Sequence, residues 1–184
     1  MSGDDVLLVM RAADFAARRH TNQRRKGGAR EPYINHLMEV ASLLSDATNG
    51  TDAVLVAAGL LHDTLEDTAT EYEELEALFG AEVASIVAEM TDDKSLPKAE
   101  RKRLQIVHAP QASLRARLGK IADKTSNVRS IVGSPPDDWD SARSIEYVEW
   151  AVQVVAGCRG LNAALEREFD AAVADARRAL GMAA

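Results

Sequence analysis

The stretch Leu60-Leu61-His62-Asp63-Thr64-Leu65-Glu66-Asp67-Thr68 decides the fold, together with the apolar segment 53–61 that leads into it. This segment is apolar on nearly every side, which predicts a helix at the centre of the molecule. On a helix with 100° between successive residues, positions 62, 63, 66 and 67 share an arc of about 140°. One histidine and three carboxylates are therefore expected on one side at the end of a buried helix.

Ionisable groups at the end of a buried helix need compensation, because they lose hydration there. A metal ion supplies it, since imidazole and carboxylate are suitable ligands for Mn²⁺, Fe²⁺, Zn²⁺ or Co²⁺. His36 and Asp123 are flanked by apolar residues, on helices that should pack against the central one. For His62-Asp63 alone, an exposed acidic helix end is an equal alternative. When His36 and Asp123 are considered together with this pair, a metal site is the favoured interpretation.

The rest of the chain is read as helical. The 184 residues are 46% hydrophobic but only 4% aromatic, and an aliphatic core favours helices over sheets. No segment shows sustained strand alternation. We expect an all-α, compact helical bundle forming a single domain over residues 1–184. The central helix is expected to be capped by Thr51, and a short helix is expected to open with a capping box at Thr70 and Glu73 and to end at Phe79. A further helix starts near Tyr33, and a final one ends near Leu180. The remaining helices are predicted over 4–20, 82–90, 97–107, 111–129 and from residue 137 or 138 to 156.

Composition narrows the choice of partners and compartment. The formal net charge of −7 disfavours a nucleic-acid binder. The N-terminus has no secretory pattern, and the longest near-apolar run is far shorter than the ~20 residues of a membrane span. The single cysteine, Cys158, suits a reducing compartment. We therefore expect a soluble, cytoplasmic protein with no nucleic-acid or membrane partner, whose oligomeric state the sequence leaves open.

Positive charge is concentrated in two clusters, which leaves room for a small anionic ligand. They are Arg18, Arg19, Arg24, Arg25, Lys26 and Arg30, and Lys94, Lys98, Arg101, Lys102 and Arg103. Arginine can grip phosphate oxygens with two parallel N–H donors. Most such side chains are solvated surface charges, but Arg25 and Lys26 lie close to the helix of His36 and are better candidates for ligand binding. His20 and His108 are interpreted as ordinary helix-end or surface histidines.

These motifs resemble the hydrolase domain of RelA/SpoT proteins, in the HD superfamily, and most of all the small metazoan SpoT homologues. The resemblance covers roughly residues 10–165. Its segments are 12–18, Gln23-Arg24-Arg25-Lys26, Pro32-Tyr33-Ile34-Asn35-His36, 60–68, Phe79-Gly80, 91–94, 96–98, 100–104, Lys120 to Lys124 with Asn127, and 146–155. The His-Asp pair alone is a weak signal, but its combination with Glu66-Asp67 and the Arg-Arg-Lys loop is specific.

The resemblance implies a site and an activity. One Mn²⁺, or another divalent transition metal, is held by His36, His62, Asp63 and Asp123. Glu66 and Asp67 form the catalytic acidic pair, whose division of roles stays open. Arg25 and Lys26 meet the nucleotide, while Asn127 and Tyr147 help to seat the nucleoside, although a core position for Tyr147 is a serious alternative. The implied reaction removes pyrophosphate from the 3′ position of guanosine 3′,5′-bis(diphosphate) (ppGpp) or pppGpp, giving GDP or GTP.

The chain departs from the family pattern in three places. Leu37 follows His36 where relatives usually have proline. Lys124-Thr125-Ser126-Asn127 replaces a more apolar spacer after Asp123, and the loop 27–31 differs in sequence. These changes affect the helix start, nucleoside selection and loop mobility more than the metal ligands.

Two other functions stay open from the sequence. One is a phosphatase of the same fold acting on NADPH or another 2′- or 3′-phosphorylated nucleotide. The other is a catalytically silent nucleotide-binding or sensor module, which would have no need for the complete set of ligands and acidic residues. Residues 165–184 are too few for a synthetase domain, so degradation of the alarmone without synthesis is expected.

Overall fold

The computed structural model describes residues 2–182 and confirms the all-α prediction. The helices are α1 (Gly3–Arg19), α2 (Ile34–Ala47), α3 (Ala53–Leu61), α4 (Thr64–Asp67), α5 (Tyr72–Phe79), α6 (Ala81–Met90), α7 (Lys98–His108), α8 (Leu114–Gly133), α9 (Ser141–Ala156) and α10 (Ala163–Ala179), with a 3₁₀ turn over Ala109–Gln111. Extended pairing within the described residues is limited to two isolated bridges, Arg24 with Pro32 and Gly27 with Pro136.

Helix α3 is the centre of the bundle, as its apolar sequence predicted. Every residue of α3 except Val54 is buried, and the helix packs against α1, α2, α6 and α8. Gly59 allows α2 to approach closely, because a Cβ there would lie 2.6 Å from Cδ1 of Leu44. The elements that carry His36 and Asp123, α2 and α8, are therefore held against the helix that leads into His62.

Several helix starts differ from the predicted ones. Asp52, rather than Thr51, caps α3 by accepting a hydrogen bond from the backbone N–H of Leu55. The predicted capping box at Thr70 is wrong, because α5 follows Glu71 without a side-chain cap and the Thr70 hydroxyl pairs with that of Thr68. Neighbouring residues with similar capping ability cannot be ranked locally, since the entry direction of the chain decides which one reaches the free N–H groups.

The ends of later helices also differ from the predicted ones. Ser113 caps α8, which starts at Leu114 and continues past the predicted end to Gly133. Asp140 caps α9 through the N–H of Arg143, so the predicted start at residue 137 or 138 is three or four residues early. None of the helices in the described part of the chain has the length and apolar character needed to cross a bilayer.

The stretch from Leu60 to Thr68 does not form one helix. Helix α3 stops at Leu61, His62 and Asp63 form a turn, and the one-turn helix α4 begins at Thr64. The Thr64 hydroxyl donates to the carbonyl of Leu61 at 2.6 Å and closes this turn. The predicted common helical face is therefore wrong, and His62-Asp63 lie on a different element from Glu66 and Asp67.

Candidate metal centre and adjoining cavity

Three parts of the fold bring two imidazoles and two carboxylates together. Nε2 of His36 lies 3.3 Å from Oδ1 of Asp123 and 3.6 Å from Oδ2 of Asp63. Nε2 of His62 lies 3.1 Å from Oδ2 of Asp63 and 3.6 Å from Oδ1 of Asp123. Ligand atoms of His36, His62 and Asp123 all lie within 4.8 Å of one another. Asp63 is not part of that group of three, but its Oδ2 lies within 3.6 Å of both imidazole nitrogens, so the fold brings the four predicted ligands close together.

On each of the two imidazoles, the nitrogen that faces the carboxylates has no hydrogen-bond partner in the described part of the chain. Nε2 of His36 and of His62 are both buried and unsatisfied among the described residues. Nδ1 of His62 lies 2.8 Å from the carbonyl oxygen of Gly59, which can only accept, so Nδ1 carries a proton, and in the neutral imidazole Nε2 offers a lone pair. A nitrogen lone pair that faces carboxylate oxygens is unfavourable, because both are electron-rich. A cation bound between them removes this repulsion.

The spacing of these atoms also suits a shared ion. Two ligand atoms that are each about 2.1 Å from one ion lie about 3.0 Å apart at a right angle and about 3.4 Å apart at a tetrahedral angle. The four imidazole–carboxylate separations run from 3.1 to 3.6 Å. Nitrogen and carboxylate donors together suit a divalent transition metal. The residues present therefore fit the metal that the sequence motif implied.

The ionisable groups of the cluster shift one another's pKa values strongly. Burial opposes the charged form of His62, but Asp63 and Asp123 outweigh it and raise the pKa of this imidazole well above its usual value. Burial likewise opposes the charge of Asp63, but His62 and His36 hold its pKa well below the usual range. Asp123 behaves in the same way, with Lys124 the main group that lowers its pKa. Both carboxylates are therefore ionised at neutral pH and attract positive charge to Nε2 of His62, either a proton or a bound cation in its place.

Polar neighbours hold both carboxylates in place. The Tyr33 hydroxyl donates to Oδ2 of Asp63 at 2.7 Å. Lys124 donates to Oδ2 of Asp123 at 2.8 Å, and Nδ2 of Asn127 donates to Oδ1 of Asp123 at 2.6 Å. Groups that fix metal ligands in this way support both orientation and affinity. In the structure, Asn127 therefore orients Asp123, besides lining the cavity where the nucleoside was expected.

Glu66 and Asp67 have different surroundings. Glu66 accepts the backbone N–H of Asp92 at 3.1 Å and lies 3.6 Å from Nη1 of Arg101. Burial raises the pKa of Glu66, and the nearby charge of Asp92 raises it further against the effect of the N–H bond. Asp67 instead pairs with Lys94 and accepts from Nε2 of Gln23 at 2.9 Å. Glu66 is thus the less fully neutralised of the two carboxylates.

A cavity of about 430 Å³ adjoins the metal cluster. It brings together the predicted nucleotide contacts Arg25, Lys26, Asn127 and Tyr147 with Glu66 and Asp67. Of the two acidic residues, only Glu66 also lines the smaller cavity, about 150 Å³, that contains His62, Asp63 and Asp123. Glu66 therefore lies between the metal cluster and the larger cavity.

Arg25 lines this cavity, and two hydrogen bonds hold its side chain in place. Its Nη2 donates to Oδ1 of Asn127 at 3.0 Å and to the Ser130 hydroxyl at 3.1 Å. Asn127 consequently connects Arg25 with Asp123. Burial raises the pKa of Tyr147 to about 12, so its hydroxyl keeps its proton. Tyr147 is half-buried, packs on the core and lines the cavity, so its core contacts are present and its role in seating the nucleoside stays a prediction.

Several residues of the site were not picked out from the sequence as functional. They are Gln23, Tyr33, Asp92, Lys124, Ser126 and Trp139. Tyr33 precedes His36 by three residues, a spacing that places both on one helix face, and this signal could have identified it. The ring of Trp139 lies 5.4 Å from that of Tyr147, a contact that no local pattern shows.

His20 was interpreted as a helix-end or surface histidine. It does end α1, but the surface alternative is wrong, because His20 is 2% exposed and stacks on Tyr33 with ring centroids 5.1 Å apart. Its Nδ1 contacts Oε1 of Gln23 at 2.6 Å, and the same Gln23 donates to Asp67. His20 is thus part of the packing behind the site.

Comparison with known proteins identifies the family. Residues 12–151 match the HD domain. The chain belongs to the HD-domain family. Among relatives of this HD-domain protein, guanosine-3′,5′-bis(diphosphate) 3′-pyrophosphohydrolase MESH1 of Xenopus tropicalis is 50% identical over 166 residues, which are 90% of this chain and 93% of that protein. Human MESH1 is 50% identical over 164 residues, 89% of this chain and 92% of that protein.

A solved structure supports the same assignment. It is described as a metazoan ortholog of SpoT that hydrolyzes ppGpp and plays a role in starvation responses, and it matches this HD-domain protein with a TM-score of 0.88 and 43% identity. The match covers 96% of this chain and 97% of that one. The resemblance to the small metazoan SpoT homologues is therefore confirmed over nearly the whole chain.

Proposed function

We propose that this HD-domain protein is a Mn²⁺-dependent guanosine-3′,5′-bis(diphosphate) 3′-pyrophosphohydrolase, which converts ppGpp to GDP and pyrophosphate, and pppGpp to GTP and pyrophosphate. The observation that carries the proposal is the pair of unsatisfied buried nitrogens, Nε2 of His36 and His62, facing two carboxylates beside a cavity with cationic walls. The relatives, which carry this activity in their names, support it.

His36, His62, Asp63 and Asp123 are the proposed ligands of one divalent cation, with Mn²⁺ as our choice of ion. Four protein ligands would leave other positions on such an ion open to water and a phosphate oxygen. When bound, such an ion withdraws charge from the phosphoryl group and lowers the pKa of water. Lys124 helps to keep Asp123 ionised, and Tyr33, Lys124 and Asn127 orient the two carboxylates.

Glu66 is the proposed general base. In the reaction, a water oxygen forms a bond to the phosphorus attached to the ribose 3′ oxygen, the bond from phosphorus to that oxygen breaks, and the 3′ oxygen takes up a proton. Glu66 lines both the metal cluster cavity and the larger cavity, so it is placed to accept the proton that the water loses. Its raised pKa brings it closer to the pH at which a base works efficiently. Asp67, held by Gln23 and Lys94, is proposed to orient the water.

The cavity walls suit a polyanionic nucleotide. Arg25 and Lys26 line the cavity next to Glu66, and Lys26 also lines an adjoining cavity of about 640 Å³ that contains Lys98 and Arg143. Burial lowers the pKa of Lys98, and neighbouring Arg143, Lys102 and Lys26 lower it further. Cations crowded in this way are stabilised by a bound anion. We assign the phosphates to these cations, and the nucleoside to Asn127, Tyr147 and the adjacent ring of Trp139.

Three broader proposals accompany the activity. The chain is proposed to form a single domain over residues 1–184, which is supported by one cluster of buried apolar side chains that extends from Ala12 to Ala176. A cytoplasmic location is proposed because the chain has one cysteine, Cys158, which is free and buried and suits a reducing compartment. The partner proposed is the small nucleotide substrate.

The test is hydrolysis measured with ppGpp, NADPH and GTP in parallel, with and without Mn²⁺. We expect Mn²⁺-dependent pyrophosphate release from ppGpp and no pyrophosphate release from GTP. Phosphate release from NADPH that exceeds ppGpp hydrolysis would replace the proposed substrate with a 2′-phosphorylated one. Absence of turnover on all three, with intact metal binding, would favour a nucleotide sensor.

A further inference from the structure

A line of polar groups lies behind His36, on the side away from the carboxylates. Nδ1 of His36 lies 2.8 Å from Oγ of Ser126, and the Ser126 hydroxyl donates to Oε2 of Glu39 at 2.7 Å. Arg129 donates to the other oxygen of the same carboxylate at 3.2 Å. His36 and Ser126 are 3% and 1% exposed, so their contact is shielded from water, whereas the side chains of Glu39 and Arg129 at the outer end of the line reach solvent. The line connects α2 and α8, the two helices that carry His36 and Asp123.

The chemistry of the three groups sets the direction of every hydrogen bond. An ionised carboxylate only accepts, so the single proton of the Ser126 hydroxyl is committed to Glu39. The serine oxygen can then only accept from His36, which requires the proton of a neutral imidazole to be on Nδ1. Nε2 is left with its lone pair facing Asp63 and Asp123. Without Glu39, the serine hydroxyl could turn and donate to Nδ1, which would favour the tautomer that has its proton on Nε2 and cannot bind a metal.

We propose that Ser126 and Glu39 are positioning residues that hold His36 in its metal-binding tautomer and ring orientation. The inference rests on the proposed function to the extent that His36 is a metal ligand. His62 obtains the same tautomer from the carbonyl of Gly59, a fixed part of α3, whereas His36 depends on two side chains.

Ser126→Ala removes the acceptor of His36. We expect its Mn²⁺ dissociation constant to rise about 10–100-fold, the usual effect of losing a group that orients a metal ligand. Glu39→Ala should weaken binding less, because the serine oxygen remains, and Glu39→Gln should recover much of the loss, since its amide oxygen still accepts the hydroxyl proton. Ser144→Ala, which changes a buried serine of α9 outside this line, is the matched control and should bind Mn²⁺ as the wild type does.

A spectroscopic measurement separates positioning from simple loss of stability. In the protein loaded with diamagnetic Zn²⁺, NMR of ¹⁵N-labelled histidine should show a slowly exchanging Nδ1–H proton for His36, bonded to an oxygen. In Ser126→Ala that proton should exchange faster or disappear, while the corresponding signal of His62 stays unchanged. A structural role alone would not produce a change restricted to His36.

The outcomes distinguish this inference from the proposed function. Wild-type protein that binds no divalent cation would overturn the metal centre and this inference with it. Wild-type binding together with unchanged affinity and an unchanged His36 signal in Ser126→Ala would overturn the positioning role alone. Equal losses in Glu39→Gln and Glu39→Ala would also contradict it, because the direction of the serine hydroxyl would then be irrelevant.

Discussion

The hydroxyl of Tyr33 donates a hydrogen bond to Oδ2 of Asp63 across 2.7 Å. Tyr33 directly precedes α2, the helix of His36, and lies at the end of the loop that carries Arg25 and Lys26. The guanidinium carbon of Arg25 lies 5.8 Å from the centre of the Tyr33 ring. One side chain therefore links the cationic loop with the proposed metal ligand, so loop position and metal geometry depend on each other.

Tyr33→Phe removes this hydrogen bond while keeping the ring that stacks on His20. Asp63 then loses a donor that orients it, so we expect Mn²⁺ affinity to fall about 10–100-fold. The measurement is a Mn²⁺ titration followed by calorimetry or electron paramagnetic resonance. Tyr72→Phe, a half-buried tyrosine of α5 away from the site, is the control. An affinity equal to that of the wild type would show that Asp63 needs no support from Tyr33.

Glu66→Ala should bind metal normally and lose turnover. Glu66 is not among the four proposed ligands, and its carboxylate is the proposed proton acceptor. Removing a general base usually lowers the rate by about 10²–10⁴-fold. The comparison needs kcat and the Mn²⁺ dissociation constant of the same preparation, with exposed Glu76→Ala as the control. Full activity in Glu66→Ala would exclude Glu66 from the mechanism.

The pH dependence of the reaction should report the environment of Glu66. A general base works in its ionised form, and burial together with Asp92 raises the pKa of Glu66 above its ordinary value of 4.5. Activity should therefore decline as the pH falls through this raised pKa. Asp92→Asn removes a neighbouring negative charge but keeps the backbone N–H that Glu66 accepts. The acid limb of kcat/KM should then move to lower pH, and a movement to higher pH would contradict this account.

Gly27→Ala tests how the cationic loop is held. A Cβ at Gly27 would lie 2.2 Å from the backbone carbonyl oxygen of Ser134, and backbone atoms cannot rotate out of the way. We expect the loop to shift, with a loss of about 1–3 kcal/mol in stability and a higher KM because Arg25 and Lys26 move. Gly133→Ala is the control, since a Cβ there meets nothing within 4 Å. Denaturant unfolding measures the loss of stability, and steady-state kinetics measures KM. An unchanged KM would show that substrate binding does not depend on the position of this loop.

Much of the site followed from residue types and their order along the chain. A histidine and several carboxylates beside an apolar segment predicted a metal centre, because such groups are unstable near a core without compensation. The helical fold followed from an aliphatic composition without strand alternation. The helix starts at Thr51, Thr70 and residue 137 or 138 were wrong, since several neighbouring residues could cap equally well. The predicted common face of residues 62–67 failed because a turn separates α3 from α4.

By itself, the sequence determined that the chain is an all-helical HD-domain protein and which side chains are chemically able to bind a metal and an anionic nucleotide. These properties depend on side-chain chemistry and on periodicity within a few turns of helix. Only the tertiary structure decided that Glu66, rather than Asp67, lies between the two cavities, and that Tyr33 and Ser126 contact the proposed ligands Asp63 and His36. Those relationships join residues such as His36 and Ser126, 90 positions apart, and they exist only because packing around α3 sets how α2 and α8 cross.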